Sequence, residues 1–304
     1  MPYCRTRDRY RYAVAVFAHN EEYKILRTLN SIKNQEDAQN FICFILNNGS
    51  RDGTKEVVLD FIKDDDRFQL VQIDLADKSN AWNHYVYHIA PQAEIFFFMD
   101  GDVTITPDAF LRITEQMNRS TNTMAIGTFQ LNGRNAEDYR ALWSRQPGVS
   151  GALYALRPSI IETVRALSIR LPIGLVGDDS LVGVLVATDF GRDSEWVMGR
   201  IEMCDAAGFY CNPLNLFRLS DLRLQYRRMI RYSLRRYQNL IIKKILENED
   251  ATCIPATATQ LYQRHPDVVK VRWRGPIWTW FDFLACLRIR DSLSQAKKEK
   301  YARI

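Results

Sequence analysis

The chain has 304 residues, 46% hydrophobic and 25% charged, a balance that supplies a sizeable core and excludes an intrinsically disordered protein. Its six cysteines form no CxxC pair and no zinc-like spacing, which excludes a disulfide scaffold and a structural zinc site. The net charge of +5 is concentrated: between Arg218 and Lys244 nine cations face Asp221 alone, a local excess of +8.

In chain order, Tyr12 to Ala18 reads as a strand and Glu21 to Ile32 as a helix with Ile25, Leu26, Leu29 and Ile32 on one face. Phe41 to Leu46 is a second strand, followed by a turn and a helix carrying Val57, Val58, Phe61 and Ile62. Gln69 to Ile73 is a third strand, with a helix near Ala81 to Ile89. Glu94 to Met99 is a fourth strand, so apolar that a central place in a parallel sheet is expected. This βαβαβαβ order predicts an open α/β sheet, mostly parallel and flanked by helices.

After residue 107 the order becomes mixed. Met124 to Leu131 and Ala152 to Leu156 read as strands, and Ser180 to Val186 as the start of a helix. Phe217 to Leu246 reads as a long basic helix, and Lys297 to Ile304 as a frayed polar end. The expected division is a catalytic domain over 1–240, with a nucleotide-binding half to about 105, and a helical, aromatic and basic extension over 241–304. The apolar run Ala13 to Ala18 is too short for a signal peptide, and no stretch reaches the roughly 18 apolar residues of a membrane span. A cytoplasmic protein, peripheral on a membrane at most, is the expectation.

Ligands of open α/β sheets bind beyond the carboxyl ends of the strands. Three polar sets fall there: His19-Asn20-Glu21, Asn47-Asn48-Gly49-Ser50 and Asp100-Gly101-Asp102. The last is the sharpest, because a buried strand delivers two carboxylates into a loop. Mg²⁺ and Mn²⁺ take one or two carboxylates plus substrate phosphates, and such a metal offsets charge on a departing diphosphate. The Asn-Asn-Gly-Ser loop offers amides to a nucleotide base, while Ser50 or Asp52 can equally cap the next helix. Gly177-Asp178-Asp179 opens a helix, where carboxylates also serve the macrodipole. Transfer to a hydroxyl needs one such group to accept a proton. Gln225-Tyr226-Arg227-Arg228-Met229 places arginines on a helix suited to phosphate oxygens.

Together these residues resemble the family 2 glycosyltransferases, inverting enzymes of the GT-A fold. Val16 to Glu22 stands at the family's first strand, Asn47 to Thr54 at its Asp-Asp-Gly-Ser-type loop, and Lys78-Ser79-Asn80-Ala81-Trp82-Asn83 at its Lys-x-x-Ala-x-Asn element. Asp100-Gly101-Asp102 matches the DxD motif, Gly177-Asp178-Asp179 the base motif, and Gln225 to Met229 the QxxRW motif. The resemblance implies that Ala18, Glu21 and Asn48 line the base and ribose pocket, with Lys78 nearby. It implies that Asp100 lies against the ribose or donor sugar and that Asp102 binds Mn²⁺ or Mg²⁺. Asp179 becomes the general base supported by Asp178, and Gln225 and Arg228 close over the diphosphate. The implied donor is a nucleotide sugar, UDP-linked by family habit, and the acceptor a saccharide or a lipid-linked molecule, as in polysaccharide or glycoconjugate biosynthesis.

Two departures stand out. Asn47 and Asn48 replace acids, and Met229 replaces the tryptophan of processive synthases, which argues against a polymer-extruding enzyme. His84 and His88 have a helical metal-ligand spacing but no HExxH pattern, and read as plain surface or packing histidines. The segment Trp273 to Leu287 suits a membrane interface or a packing surface on protein. A haloacid-dehalogenase-like phosphatase is the rival enzyme, because Asp100-Gly101-Asp102-Val103-Thr104 also looks like its nucleophile motif. A basic nucleic-acid or membrane-surface adaptor is the non-enzymatic rival; no nucleic acid is expected with the enzyme, and the oligomeric state stays open.

Overall fold

The computed structural model describes residues 9–36, 40–133, 136–192, 195–212 and 219–302. Internal contacts divide the chain into two compact units, Met1–Ile169 with Asp179–Pro213, and Arg170–Asp178 with Leu214–Ile304. The division expected at residue 240 differs from this one, which falls ahead of the long basic helix.

The first unit begins with β1 (Tyr10–Ala18), α1 (Ile25–Lys33), β2 (Phe41–Asn48), α2 (Thr54–Phe61), β3 (Phe68–Ile73), α3 (Lys78–His84) and β4 (Ala93–Asp100). It continues with β5 (Val103–Ile105), α4 (Ala109–Asn118), β6 (Ala125–Gln130), α5 (Ala136–Arg145), β7 (Leu153–Leu156), α6 (Pro158–Ala166), α7 (Asp178–Ala187) and β8 (Ile201–Cys211). All eight strands form one sheet in the order β3-β2-β1-β4-β7-β6-β8-β5. The β3-β2-β1-β4 half is parallel, while β7 runs antiparallel to both β4 and β6.

The apolar runs of β1, β2 and β4 are explained by burial on both faces. One face carries Val14, Val16, Phe97 and Met99 against Ile25, Leu29 and Ile32 of α1 and Phe110, Ile113 and Met117 of α4. On the other, Phe98 stacks on Tyr154 with centroids 5.0 Å apart and on Trp82 at 6.1 Å. The Trp82 indole N–H donates to Tyr154 Oη at 3.1 Å, so a buried polar atom of this aromatic layer is satisfied. In the register, Ala18 lies beside Asn47, and Phe17 beside Asp100. The three polar loops therefore leave the sheet at one edge.

Several boundaries differ from the sequence expectation. The first helix starts at Ile25 because residues 21–24 form a turn in which the Lys24 and Ile25 N–H groups donate to the Glu21 carbonyl. The third starts at Lys78, where the Asp77 side chain caps the Asn80 N–H, and ends in a π-helical turn over Tyr85–Ile89. β5, β8, α4, α5 and α6 have no counterpart in the sequence reading.

The second unit holds α8 (Leu219–Asn248), α9 (Ala258–Arg264) and α10 (Pro276–Ala302). α8 packs on both α9 and α10, which is why it belongs with the C-terminal helices. Phe217 and Arg218, expected at the start of α8, lie outside the described residues, as do Cys4, Arg303 and Ile304. The polar end expected to fray is helical through Ala302, as the continuation of α10. The five cysteines among the described residues are free thiols. No helix among the described residues is long and apolar enough to cross a membrane.

Candidate active site

The loops after β1 and β2 are tied to each other. The Asn20 N–H donates to Ser50 Oγ at 2.9 Å, and the Glu21 N–H to Thr54 Oγ1 at 2.8 Å. Asp52 accepts from the Glu22 N–H at 3.2 Å and from the Thr54 N–H at 3.1 Å, and Glu22 in turn accepts from the Gly53 N–H at 3.2 Å. Burial acts to raise the Asp52 carboxyl, but the hydrogen bonds from Thr54 and Glu22 outweigh it and hold the group below the usual carboxylate range. Gly49 adopts φ +61°, and a Cβ there would lie 2.8 Å from the Ala76 nitrogen, so the turn needs glycine.

Asn48 is buried. Its side-chain oxygen accepts from the Asp77 N–H at 2.9 Å, and its carbonyl accepts from His19 Nδ1 at 2.6 Å. Asn47, also buried, donates to Gln72 at 2.9 Å. Both asparagines thus join neighbouring segments of the loop layer. Ala18 is buried against Gly101, whose N–H donates to the Phe17 carbonyl at 2.8 Å. A Cβ on Gly101 would come within 3.1 Å of Ala18 Cα, which explains the small residue between the two aspartates.

The carboxylates are answered by ammonium groups. Lys78 Nζ lies 2.6 Å from Asp100 Oδ1, and Lys24 Nζ lies 3.3 Å from Asp102 and 2.9 Å from Glu21. Burial lifts the Glu21 carboxyl above its ordinary value, although Lys24 pulls the other way. Burial opposes the charge on Lys24, yet hydrogen bonding to Glu21 and the nearby Asp102 leave its ammonium above the ordinary lysine value.

Asp179 lies in the first turn of α7. Its Oδ1 accepts from the Ser180 N–H at 2.8 Å and its Oδ2 from the Gly151 N–H at 2.9 Å. Gly151 marks where the cluster converges: a Cβ there would lie 2.6 Å from Lys78 Nζ, 3.5 Å from Asp100 Oδ2 and 3.6 Å from Asp179 Oδ2. The structure therefore brings together Glu21, Lys78, Asp100, Asp102 and Asp179. Asp102 also borders a cavity of about 190 Å³ with Lys24, Arg27, Asn132 and Tyr210. Sequence reasoning does not reach Lys24, Gly151 or this β8-side wall, because no motif flags a lone lysine or a glycine.

The unit boundary falls after the first residue of α7, so Asp178 belongs to the second unit, as do Gln225 and Arg228. Asp178 is almost fully buried, Gln225 half-buried and Arg228 exposed on α8. The segment before Asp178 is fastened to α8: Gln238 accepts from the Val176 N–H at 2.8 Å and donates to the Gly174 carbonyl at 3.0 Å and to Tyr262 Oη at 2.8 Å. Gly177, at φ +93°, leaves room for the Arg235 guanidinium, which a Cβ at that position would overlap. His84 and His88 pack ring against ring with centroids 5.2 Å apart.

The family model described as glycosyl transferase family 2 matches residues 13–170, more than half of the chain. The chain belongs to glycosyl transferase family 2. It is therefore a glycosyltransferase, and the phosphatase expectation is set aside. A comparison with curated proteins gives no match.

Solved structures of similar fold include the mannosyltransferase PcManGT from Pyrobaculum calidifontis in complex with GDP-Man and Mn²⁺, at 17% identity and TM-score 0.57, covering 95% of this chain and 84% of that one. S. aureus TarS 1–349 in complex with UDP matches at 14% identity and TM-score 0.51, over 95% and 92%. Glucosyl-3-phosphoglycerate synthase from Mycobacterium tuberculosis, in complex with Mn²⁺, UDP-Glc and phosphoglyceric acid, matches at 17% and 0.50, over 79% and 80%. At these identities the likeness is one of fold.

The transferase's own residues fit a divalent cation of one kind. Among the described residues no group of three or more His, Cys, Asp or Glu side chains could cage a metal. Asp102 and Asp100 are hard oxygen donors already facing ammonium cations, with part of each side chain open to solvent. That set suits Mg²⁺ or Mn²⁺ shared with substrate phosphates, and not an all-protein site.

Proposed function

We propose that this family 2 enzyme transfers a sugar, with inversion, from a nucleoside diphosphate donor to a hydroxyl acceptor at the Asp100–Asp102–Asp179 cluster. The observation that carries the reading is the convergence of Lys78, Asp100 and Asp179 on Gly151. A carboxylate able to take a proton and an ammonium able to balance phosphate charge then share one small space.

In the reaction, Asp179 accepts the proton of the acceptor hydroxyl as its oxygen attacks the anomeric carbon. The bond from that carbon to the diphosphate oxygen breaks, and the configuration inverts. The Gly151 and Ser180 N–H groups hold the Asp179 carboxylate in place for this step. Asp102, with Asp100 beside it, would hold Mn²⁺ or Mg²⁺, which supplies neutralisation of charge on the leaving diphosphate when bound. Lys78 and Lys24 hold the same two carboxylates in place. Glu21, Ala18 and Asn48 are assigned to the nucleoside, Asn48 through the loop it braces. For Asp178, Gln225 and Arg228, which belong to the second unit, the family resemblance alone speaks.

UDP is the favoured carrier and a saccharide or lipid-linked hydroxyl the favoured acceptor. The complexes of the similar structures, with GDP-Man, UDP and UDP-Glc, support a nucleotide sugar without choosing among them. A panel of UDP-, GDP- and dTDP-sugars incubated with Mn²⁺ tests the reading. Nucleoside diphosphate release from one donor family is expected; a panel in which no donor is consumed, with or without saccharide acceptors, contradicts it.

A further inference from the structure

α10 is apolar on two opposite sides. One side carries Phe281, Ala285, Cys286 and Ile289, all buried, and packs on α8 and α9. The other carries Ile277, Trp280, Phe283 and Leu287 at helical spacing, exposed by 64%, 52%, 42% and 39%. Trp273, just before the helix, is 78% exposed. Within a folded chain an apolar helix face is normally covered, so a second face left in water calls for an occupant.

The charge around this face decides what the occupant is. Lys270, Arg272 and Arg274 precede this stretch in sequence and Arg288 and Arg290 close it, all exposed. The only acid between residues 269 and 290 is Asp282, which is buried and held by Arg274 at 3.3 Å and Arg236 at 3.5 Å. On the helix, Arg288 and Arg290 fall on either side of the Trp280–Leu287 stripe. Beside it lies a groove of about 250 Å³ whose lining includes Val271, Phe283 and Leu287 together with Lys270 and Arg290. A second copy of the chain apposed on this face would bring two sets of arginines together, with Asp291 as the exposed acid nearest in sequence to answer them. A layer of anionic headgroups answers the cations, and the acyl boundary beneath takes the rings.

We propose that the outward face of α10 docks on an anionic lipid surface, with Trp273, Ile277, Trp280, Phe283 and Leu287 entering the interface and Arg288 and Arg290 pairing with headgroup phosphates. The helix lies in the interface plane and does not cross it. This inference uses the second unit alone and does not depend on the donor chemistry.

Flotation of the full chain tests it, with vesicles of phosphatidylglycerol and phosphatidylcholine against vesicles of phosphatidylcholine alone. The wild type floats with the anionic vesicles, and added salt weakens the binding. Trp280→Ser combined with Phe283→Ser lowers partitioning roughly 10-fold or more, and Arg288→Glu with Arg290→Glu lowers it roughly 5-fold for each charge. These side chains are exposed, and unchanged circular dichroism verifies that the variants fold. Wild-type protein that stays below the lipid layer, or a double variant that floats as well as the wild type, overturns the proposal. So does a concentration-dependent dimer, without lipid binding, that the Trp280→Ser/Phe283→Ser pair dissolves.

Discussion

The loops that follow β1 and β2 answer one another with hydrogen bonds, whereas the carboxylates that follow β4 and open α7 are answered by lysines and a glycine N–H. In the first region Ser50, Asp52 and Thr54 satisfy the backbone of residues 20–22, and the geometry is fixed by short neutral and charge-assisted bonds. In the second, Lys24 and Lys78 lie on Asp102 and Asp100 as partly exposed ion pairs, at 3.3 Å and 2.6 Å. One region is a scaffold that holds its shape alone. The other is a charged cluster, and the proposed transfer places its chemistry there.

The largest effect expected from this contrast is at Asp179. Asp179→Asn keeps the size of the side chain and removes the proton acceptor, so kcat should fall roughly 100- to 10,000-fold. Nucleotide affinity should change little, and an equal loss in both would place Asp179 in binding instead. Next comes Gly151→Ala. The added methyl meets the flexible end of Lys78 at 2.6 Å, so the fold should survive while the cluster shifts. About a 100-fold loss of kcat/KM is expected with an unchanged melting profile. Full activity in this variant would break the link between the convergence point and catalysis.

Asp52→Ala probes the scaffold side. Losing its bonds to Glu22 and Thr54 should cost about 1–2 kcal/mol in urea unfolding with kcat nearly unchanged. Because the folded state holds this carboxyl below its ordinary value of 3.8, its contribution is present above about pH 3.8 and is lost as pH falls through the folded value. The wild-type advantage should therefore shrink in acid. The smallest effect is at Glu21, whose carboxyl lies above its ordinary value of 4.5. Its contribution to stability is fully present below pH 4.5 and is lost as pH rises through the folded value. Glu21→Gln should then stabilise the fold slightly at pH 7 and hardly at pH 4, while weakening nucleotide binding. A destabilised variant at pH 7 would mean that the Lys24 pair outweighs burial.

The parallel half of the sheet was legible because β1, β2 and β4 are buried on both faces and write long apolar runs. β8 was not, because Glu202, Asp205 and Ala206 interrupt its pattern and the pairing with β6 shifts between Thr128 and Phe129. β5 has three residues and no periodicity to read. In the site, the acidic motifs stood out because paired carboxylates after a strand are costly without a purpose. Lys24 did not, since its partner Asp102 is 78 positions away. Gly151 contributes an N–H and an absence of side chain, and neither leaves a signal in one sequence. α10 reads as an aromatic tail because rings on both faces hide its period.

Isothermal titration of UDP and of GDP, with and without Mn²⁺, tests the central claim most directly when the wild type is set against Asp102→Ala. The account predicts that one nucleotide binds only with the metal, and that the substitution weakens it roughly 10-fold or more. If neither nucleotide binds in the presence of Mn²⁺, or if Asp102→Ala binds as well as the wild type, the assignment of the donor site to this cluster is contradicted.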